Sequence, residues 1–199
     1  MLAAQWLDLL WPIFLLLGIE HVRIDPGNTK FTPFDFYDYP ITHSLVTSIA
    51  WSATFAFVYF LLRRDRRAAL VLGVAVFSHW LLDFAAHRAD LPLAPHSNRY
   101  FGLGLWNHVA ATVIVECTMF LIAIIIYLRT TRVDRTGFFA FWAFILLVVF
   151  IYAGNITGTP PSSVRALAWF GMSQWIIIPW CYWIDRHRAL RSEPRALSS

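Results

Sequence analysis

Apolar residues collect into six runs, roughly 2–19, 41–62, 68–86, 105–128, 138–153 and 166–184, with short polar stretches between them. Crossing about 30 Å of hydrocarbon takes about 20 helical residues, and most of the runs have that length. Inside lipid only the chain itself can bond its backbone N–H and C=O groups, so each run is predicted to be a helix. The fifth run is short, and a full span there needs the helix to start nearer Thr136 or to continue through Asn155. The pattern predicts an all-α fold, a polytopic transmembrane bundle of about six helices. Residues 1–186 would form a single transmembrane domain and residues 187–199 a polar tail.

Composition supports a lipid environment. Of 199 residues, 58% are hydrophobic and 14% charged, and the mean hydropathy is +0.56. Soluble domains carry about 25% charged residues, so this chain has too few polar groups to cover a surface facing water. Its 10 Trp and 17 Phe suit membrane interfaces. The opening Met1-Leu2-Ala3-Ala4-Gln5-Trp6 lacks the basic start of a signal peptide, and no A-x-A site follows, so the first run is read as a retained helix. Cys117 and Cys181 each lie inside an apolar run without CxxC spacing, and they are read as small core residues.

The net charge is +4 and the pI about 9.4. No basic stripe interleaved with aromatics accompanies that charge, which argues against a nucleic-acid partner. The arginines instead fill alternate loops. Arg63-Arg64-Asp65-Arg66-Arg67, the stretch from Arg129 to Arg135 and the tail from Arg186 hold eleven of the 16 basic residues. Arg23, Lys30, Arg88, Arg99 and Arg165 make up the other five. The positive-inside rule then places both termini in the cytoplasm and the loops at 20–40, 87–104 and 154–165 outside. Asp25-Pro26-Gly27-Asn28 reads as a turn in the first of these loops. Phe101-Gly102-Leu103-Gly104 could serve as a hinge for a lid, though a plain turn is the simpler reading.

This topology sends six of the seven histidines to the outer half: His21, His43, His79, His87, His96 and His108. Glu20, Asp25, Asp35, Asp38, Asp83 and the deeper Glu116 accompany them. In the third run, His79, Asp83 and His87 recur at i, i+4 and i+8 and share one broad helix face. Ionisable residues are costly in a spanning helix and usually face a partner or a wet cavity, and His with Asp one turn apart can chelate a metal ion. Pro40 fits the first turn of the second helix, with Asp38 just outside it and His43 one turn in. His108 opens the fourth run, Glu116 lies two turns deeper, and Glu20-His21 closes the first.

Plainer roles exist for each. His21 and His96 taken singly read as wet loop histidines, and His43 and His108 equally well as interfacial caps. Asp35 and Asp38 could cap a helix N-terminus. His79 and Asp83 could be a structural hydrogen-bonded pair, and Glu116 a buried protonated acid held by a hydroxyl.

Two segments carry a family resemblance. Ile41-Thr42-His43-Ser44-Leu45 and Ser78-His79-Trp80-Leu81-Leu82-Asp83 resemble the paired THS and HxxxD motifs of small bacterial polytopic inner-membrane proteins, the YdjM-like group labelled membrane-bound metal-dependent hydrolases. The resemblance covers mainly the second and third helices. It implies a bacterial inner-membrane location, a divalent metal ion, and His43, His79 and Asp83 as its ligands. Where that family usually has a histidine five positions before the THS histidine, this chain has Asp38. Asp38 is thus the candidate fourth ligand, and it would make the site richer in oxygen. His21, His87, His108 and Glu116 enter from spacing alone.

Three functions are compatible with these residues. The first is a membrane-embedded metal-dependent hydrolase, with zinc the expected ion, Glu116 or His108 as general base or acid, and a lipid or lipid-linked ester as substrate. The second is a proton or metal-ion transporter using the same side chains as a relay. Against it, nothing ionisable lies between Thr47 and Arg63. The third is a non-catalytic integral membrane protein.

Overall fold

The structure is a computed structural model, and it describes residues 1–191. The fold is all-α and polytopic. Among the described residues, four helices are long and apolar enough to cross a membrane: α3 (Leu45–Arg63), α4 (Arg66–Ala86), α5 (Val109–Thr130) and α6 (Arg135–Thr157). The chain forms two compact units, one built from residues 1–112 and 159–175, the other from residues 113–158 and the described part of 176–199.

In the first unit, α1 (Trp6–Leu17) stops at Gly18, whose φ of 67° closes the helix in the left-handed conformation. At 12 residues it is about 18 Å long and does not cross the hydrocarbon by itself. A short hairpin follows, β1 (His21–Ile24) against β2 (Phe34–Asp38), with Asp25 to Asn28 in its turn. The second apolar run then begins as a single turn, α2 (Pro40–His43), before Ser44 breaks it with an extended backbone. The Ser44 side chain accepts from the Thr47 N–H and so caps α3. Helices α3 and α4 return on each other across the tight basic turn at Arg64-Asp65. Their close approach depends on Gly73, where an added Cβ would lie 3.1 Å from that of Ala56, and Ser52 Oγ donates to the Gly73 carbonyl at 2.6 Å.

The stretch after α4 is fastened to that helix. Its backbone pairs β3 (Leu91–Pro92) with β4 (Tyr100–Phe101), and then the Leu103 and Gly104 N–H groups bond the Phe84 and His87 carbonyls. These bonds satisfy acceptors that the end of α4 would leave open. Gly102 sits at φ 150°, and a Cβ there would collide with the Arg88 carbonyl. The glycines of this segment therefore serve a close approach. The fourth apolar run opens with a 3-10 turn at Leu105–Asn107, so α5 starts only at Val109.

The sixth apolar run is divided at Ser173 into α7 (Val164–Met172) and α8 (Gln174–Arg186), neither long enough to span alone. Ser173 Oγ donates to the Phe170 carbonyl and competes with the helical ladder. In the first unit α7 lies directly on α1, with Gly171 against Pro12, and Trp175 Nε1 donates to the Leu9 carbonyl at 3.1 Å. The core of this unit is Ala3, Leu7, Tyr39, Val76, Trp80 and Leu91, with a second cluster around Leu15, Val22, Leu167 and Ala168.

In the second unit, the fifth run is longer at both ends than its apolar stretch. Helix α6 has 23 residues, capped by the Asp134 carboxylate on the Gly137 N–H. Ala140, Phe141, Ile145 and Ile184 form the core. Strand β5 (Thr131–Val133) pairs with β6 (Arg188–Leu190), so the basic loop and the chain beyond α8 lie side by side. The rest of the expected tail, 192–199, lies outside the described residues. Cys117 is exposed on α5 rather than in a core. On that apolar surface lipid accommodates it as a small hydrophobe. Large side chains such as Leu62, Leu146 and Phe150 are also widely exposed, and water would not sustain so much apolar surface.

Candidate metal centre

The three residues Thr42-His43-Ser44 each act on a different neighbour. Ser44 caps α3. Thr42 Oγ1 bonds Glu20 Oε2 at 2.7 Å. His43, only 4% exposed, turns its ring towards α1 and α4 and is held from behind by Trp80, whose Nε1 donates to the His43 carbonyl at 3.0 Å. One turn of helix ending in an extended residue is what allows adjacent side chains to diverge in this way.

On α4, His79 and Asp83 lie one turn apart with their side chains 3.3 Å from each other, measured Nε2 to Oδ2. His43 Nε2 lies 3.7 Å from the same Asp83 oxygen. On the opposite side, Asp8 Oδ1 is 3.5 Å from His43 Nε2 and 3.5 Å from His79 Nε2. The ligand atoms of Asp8, His43 and His79 all lie within 4.8 Å of one another, a grouping that could hold a metal ion.

Three features of the donor set fit a cation. Metal–ligand bonds of about 2.0–2.2 Å in a tetrahedron give ligand–ligand edges of about 3.3–3.6 Å, and the four histidine–carboxylate separations lie at or within 0.1 Å of that range. Asp83 Oδ2 is buried and accepts no hydrogen bond, an arrangement costly for a carboxylate unless a positive charge faces it. Both histidines also have their Nδ1 atoms engaged, His79 with the Ala4 carbonyl at 2.9 Å and His43 with Thr42 Oγ1 at 2.7 Å. A carbonyl accepts only, so His79 Nδ1 carries a proton, and in the neutral ring Nε2 keeps its lone pair for a ligand.

Glu20 supports this arrangement from below. It is 1% exposed, and its Oε1 accepts from the Ile41 and Thr42 N–H groups at 2.7 and 2.8 Å, capping α2. Burial pushes its carboxyl above the ordinary value, while the bonds from Thr42, the nearby His43 and the Ile41 N–H pull it back.

The other residues singled out by the sequence make different contacts. Asp38 is on β2 and pairs with His21 on β1 at 2.7 Å, in an exposed part of the hairpin. His87 is eight residues beyond His79, about 80° further round a helix of 3.6 residues per turn, and it ends α4 instead of continuing it. Its ring belongs to a second buried group. There His87 Nδ1 and the Tyr39 hydroxyl meet Asp90 Oδ1, both at 3.0 Å, and Arg88 bridges Asp90 to Asp35. Burial and then Asp90 raise the Tyr39 hydroxyl well above its ordinary pKa, so it remains a donor. The Tyr39 ring lies between the His43 and His87 rings, 5.1 and 6.0 Å from them, and separates the two groups. His108 ends the 3-10 turn and bonds Thr112 through its carbonyl. Glu116 belongs to the second unit, where its Oε2 accepts from the Tyr152 hydroxyl at 2.7 Å. His96 is in the β3–β4 connection at φ 63°.

Asp8 was absent from the sequence-based set. Its partners are 35 and 71 positions away, so no spacing marks it. One signal does exist: it is an acid inside an apolar run, the same anomaly that marks Asp83.

Comparison with curated proteins and with solved structures gives no match. A family model does match, described as YdjM inner membrane protein, over residues 40–157. That stretch is more than half of the chain and contains His43, His79, Asp83 and all four helices of membrane-crossing length. The chain therefore belongs to the YdjM inner membrane protein family and is a multi-pass protein of the inner membrane.

Proposed function

We propose that this protein is a membrane-embedded, zinc-dependent hydrolase of a lipid or lipid-linked ester. The observation that carries the reading is the convergence of His43 and His79 Nε2 on the carboxylates of Asp8 and Asp83. His43, His79 and Asp83 would hold the ion. A bound zinc ion supplies Lewis acidity and lowers the pKa of its water towards about 7. The two imidazoles offer neutral donors, and the buried Asp83 carboxylate offsets the charge. Asp8 is the most exposed of the four, with 37% of its side chain accessible. It is the carboxylate that can make room for water or substrate and accept a proton from the attacking water.

Depth supports a lipid substrate. His43 precedes the first residue of α3 by two positions, and His79 and Asp83 lie in the last two turns of α4, so the group sits at one end of two spans. The basic turn Arg63 to Arg67 is at their other end. With that turn in the cytoplasm, the site faces outward at the level of lipid headgroups and their ester links.

The test is hydrolysis of a panel of lipid esters by the purified protein in detergent or liposomes. Turnover abolished by EDTA, restored by zinc and lost in His79→Ala supports the reading. No turnover of any ester, or turnover indifferent to chelation, overturns it, and proton or metal-ion flux into liposomes would favour transport instead.

A further inference from the structure

We infer that Glu20, acting through the Thr42 hydroxyl, is a positioning residue that sets the tautomer of His43 and so keeps its Nε2 free to bind a metal ion. The inference rests on the proposed metal centre but concerns a residue outside the stretch shared with the family.

Proton counting along the contacts carries the argument. Glu20 is surrounded by donors: the Ile41 and Thr42 N–H groups on Oε1 and the Thr42 hydroxyl on Oε2. A carboxylate in that position only accepts, so the single Thr42 hydroxyl proton points at Glu20. The hydroxyl oxygen is then the acceptor for His43 Nδ1, 2.7 Å away. The direction Nδ1–H to Oγ1–H to Oε2 leaves the lone pair of His43 on Nε2, the atom that faces Asp8 and Asp83. Metal-binding histidines commonly donate their other ring N–H to a carboxylate or carbonyl; here a threonine hydroxyl stands between. Glu20 and Thr42 are 1% and 0% exposed, so these bonds are shielded from bulk water.

The substitution Glu20→Gln separates this role from capping. The amide oxygen must face the two backbone N–H groups, which cannot accept. Its NH2 then faces Thr42 Oγ1 and donates to it. The hydroxyl proton is forced round onto His43 Nδ1, and the ring proton moves to Nε2. The cap on α2 survives, but the relay runs backwards and the metal-facing nitrogen is blocked.

Full-length protein in detergent would be titrated with zinc against a competing chelator dye. Expected is a weakening of about 10–100-fold for Glu20→Gln and for Thr42→Val, the usual effect of losing an outer-shell partner, with Thr42→Ser restoring affinity to within a few-fold of wild type. The ring 15N shifts of His43 in the zinc-free protein give a second, metal-independent readout: Nδ1–H in wild type and Nε2–H in Glu20→Gln. A Glu20→Gln protein that binds zinc as wild type does, or whose His43 tautomer is unchanged, overturns the inference. Wild type that binds no zinc, while the tautomer still reverses in Glu20→Gln, retains the inference and removes the metal centre instead.

Discussion

Replacing Asp83 by Asn tests the metal centre through stability. The substitution keeps the shape of the side chain but removes a buried carboxylate whose Oδ2 accepts no hydrogen bond and lies 3.3 and 3.7 Å from two imidazole nitrogens. If zinc is held there, free zinc at a hundred times the wild-type Kd stabilises the folded chain by about 2.7 kcal/mol. Loss of a direct ligand should weaken binding at least as much as loss of an outer-shell partner, so a factor of about 100 is a conservative figure. At the same zinc concentration the variant then sits near its own Kd, and the stabilisation falls to about 0.4 kcal/mol. The difference, about 2.3 kcal/mol, corresponds to about 5–9 °C in Tm for a chain of this size. The assay is thermal unfolding in detergent, with and without EDTA, at buffered free zinc. The expected outcome is a zinc-dependent rise in Tm for wild type and almost none for Asp83→Asn. An equal rise in both would remove Asp83 from the site and, with it, the explanation of its orphaned oxygen.

Other outcomes are expected on the same grounds. Asp8→Asn should retain zinc to within about tenfold yet lose ester hydrolysis by about a hundredfold or more, the range for removing a general base; equal losses of both would make Asp8 an ordinary ligand. Ser44→Ala removes the cap of α3 and should cost about 0.5–2 kcal/mol in denaturant unfolding, whereas no change would mean the Thr47 N–H finds another partner. The Asp134 carboxyl is held below its ordinary value chiefly by the Gly137 N–H and then by His187. A depressed carboxyl contributes stability above its unfolded pKa and loses it as the pH falls through the folded one. Wild type should therefore be more stable than Asp134→Ala at about pH 7, and the gap should close below about pH 4; a gap that persists in acid contradicts that assignment.

How far the sequence foretold this structure differs from element to element. The helices α3 to α6 follow directly from length and hydropathy, because lipid leaves the backbone no alternative partner. The first and last apolar runs satisfied the same count, yet they form shorter helices. Their ends are set by a left-handed Gly18 and by the bend at Ser173, which hydropathy averages away. Within the candidate site, His79 and Asp83 were visible because four residues make one helical turn. Their meeting with His43 was legible only through the resemblance of paired motifs. Asp8 depends on how α1 lies in the fold, information that no local spacing contains. Asp38 and His21 illustrate the reverse case: plausible ligands by depth, they satisfy each other across a hairpin whose register could not be read from composition.

The division of tasks within Thr42-His43-Ser44 leaves this stretch without tolerance for length changes. A long helix can absorb an inserted residue by local overwinding or by sliding along its packing groove. Here one added or deleted position would turn the imidazole out of its slot, detach the hydroxyl from the acid beneath and start the following span on the wrong residue, all at once. Homologous chains should therefore vary freely in the length of the hairpin before Pro40 and of the turn after Arg63, while insertions between these three residues should be absent.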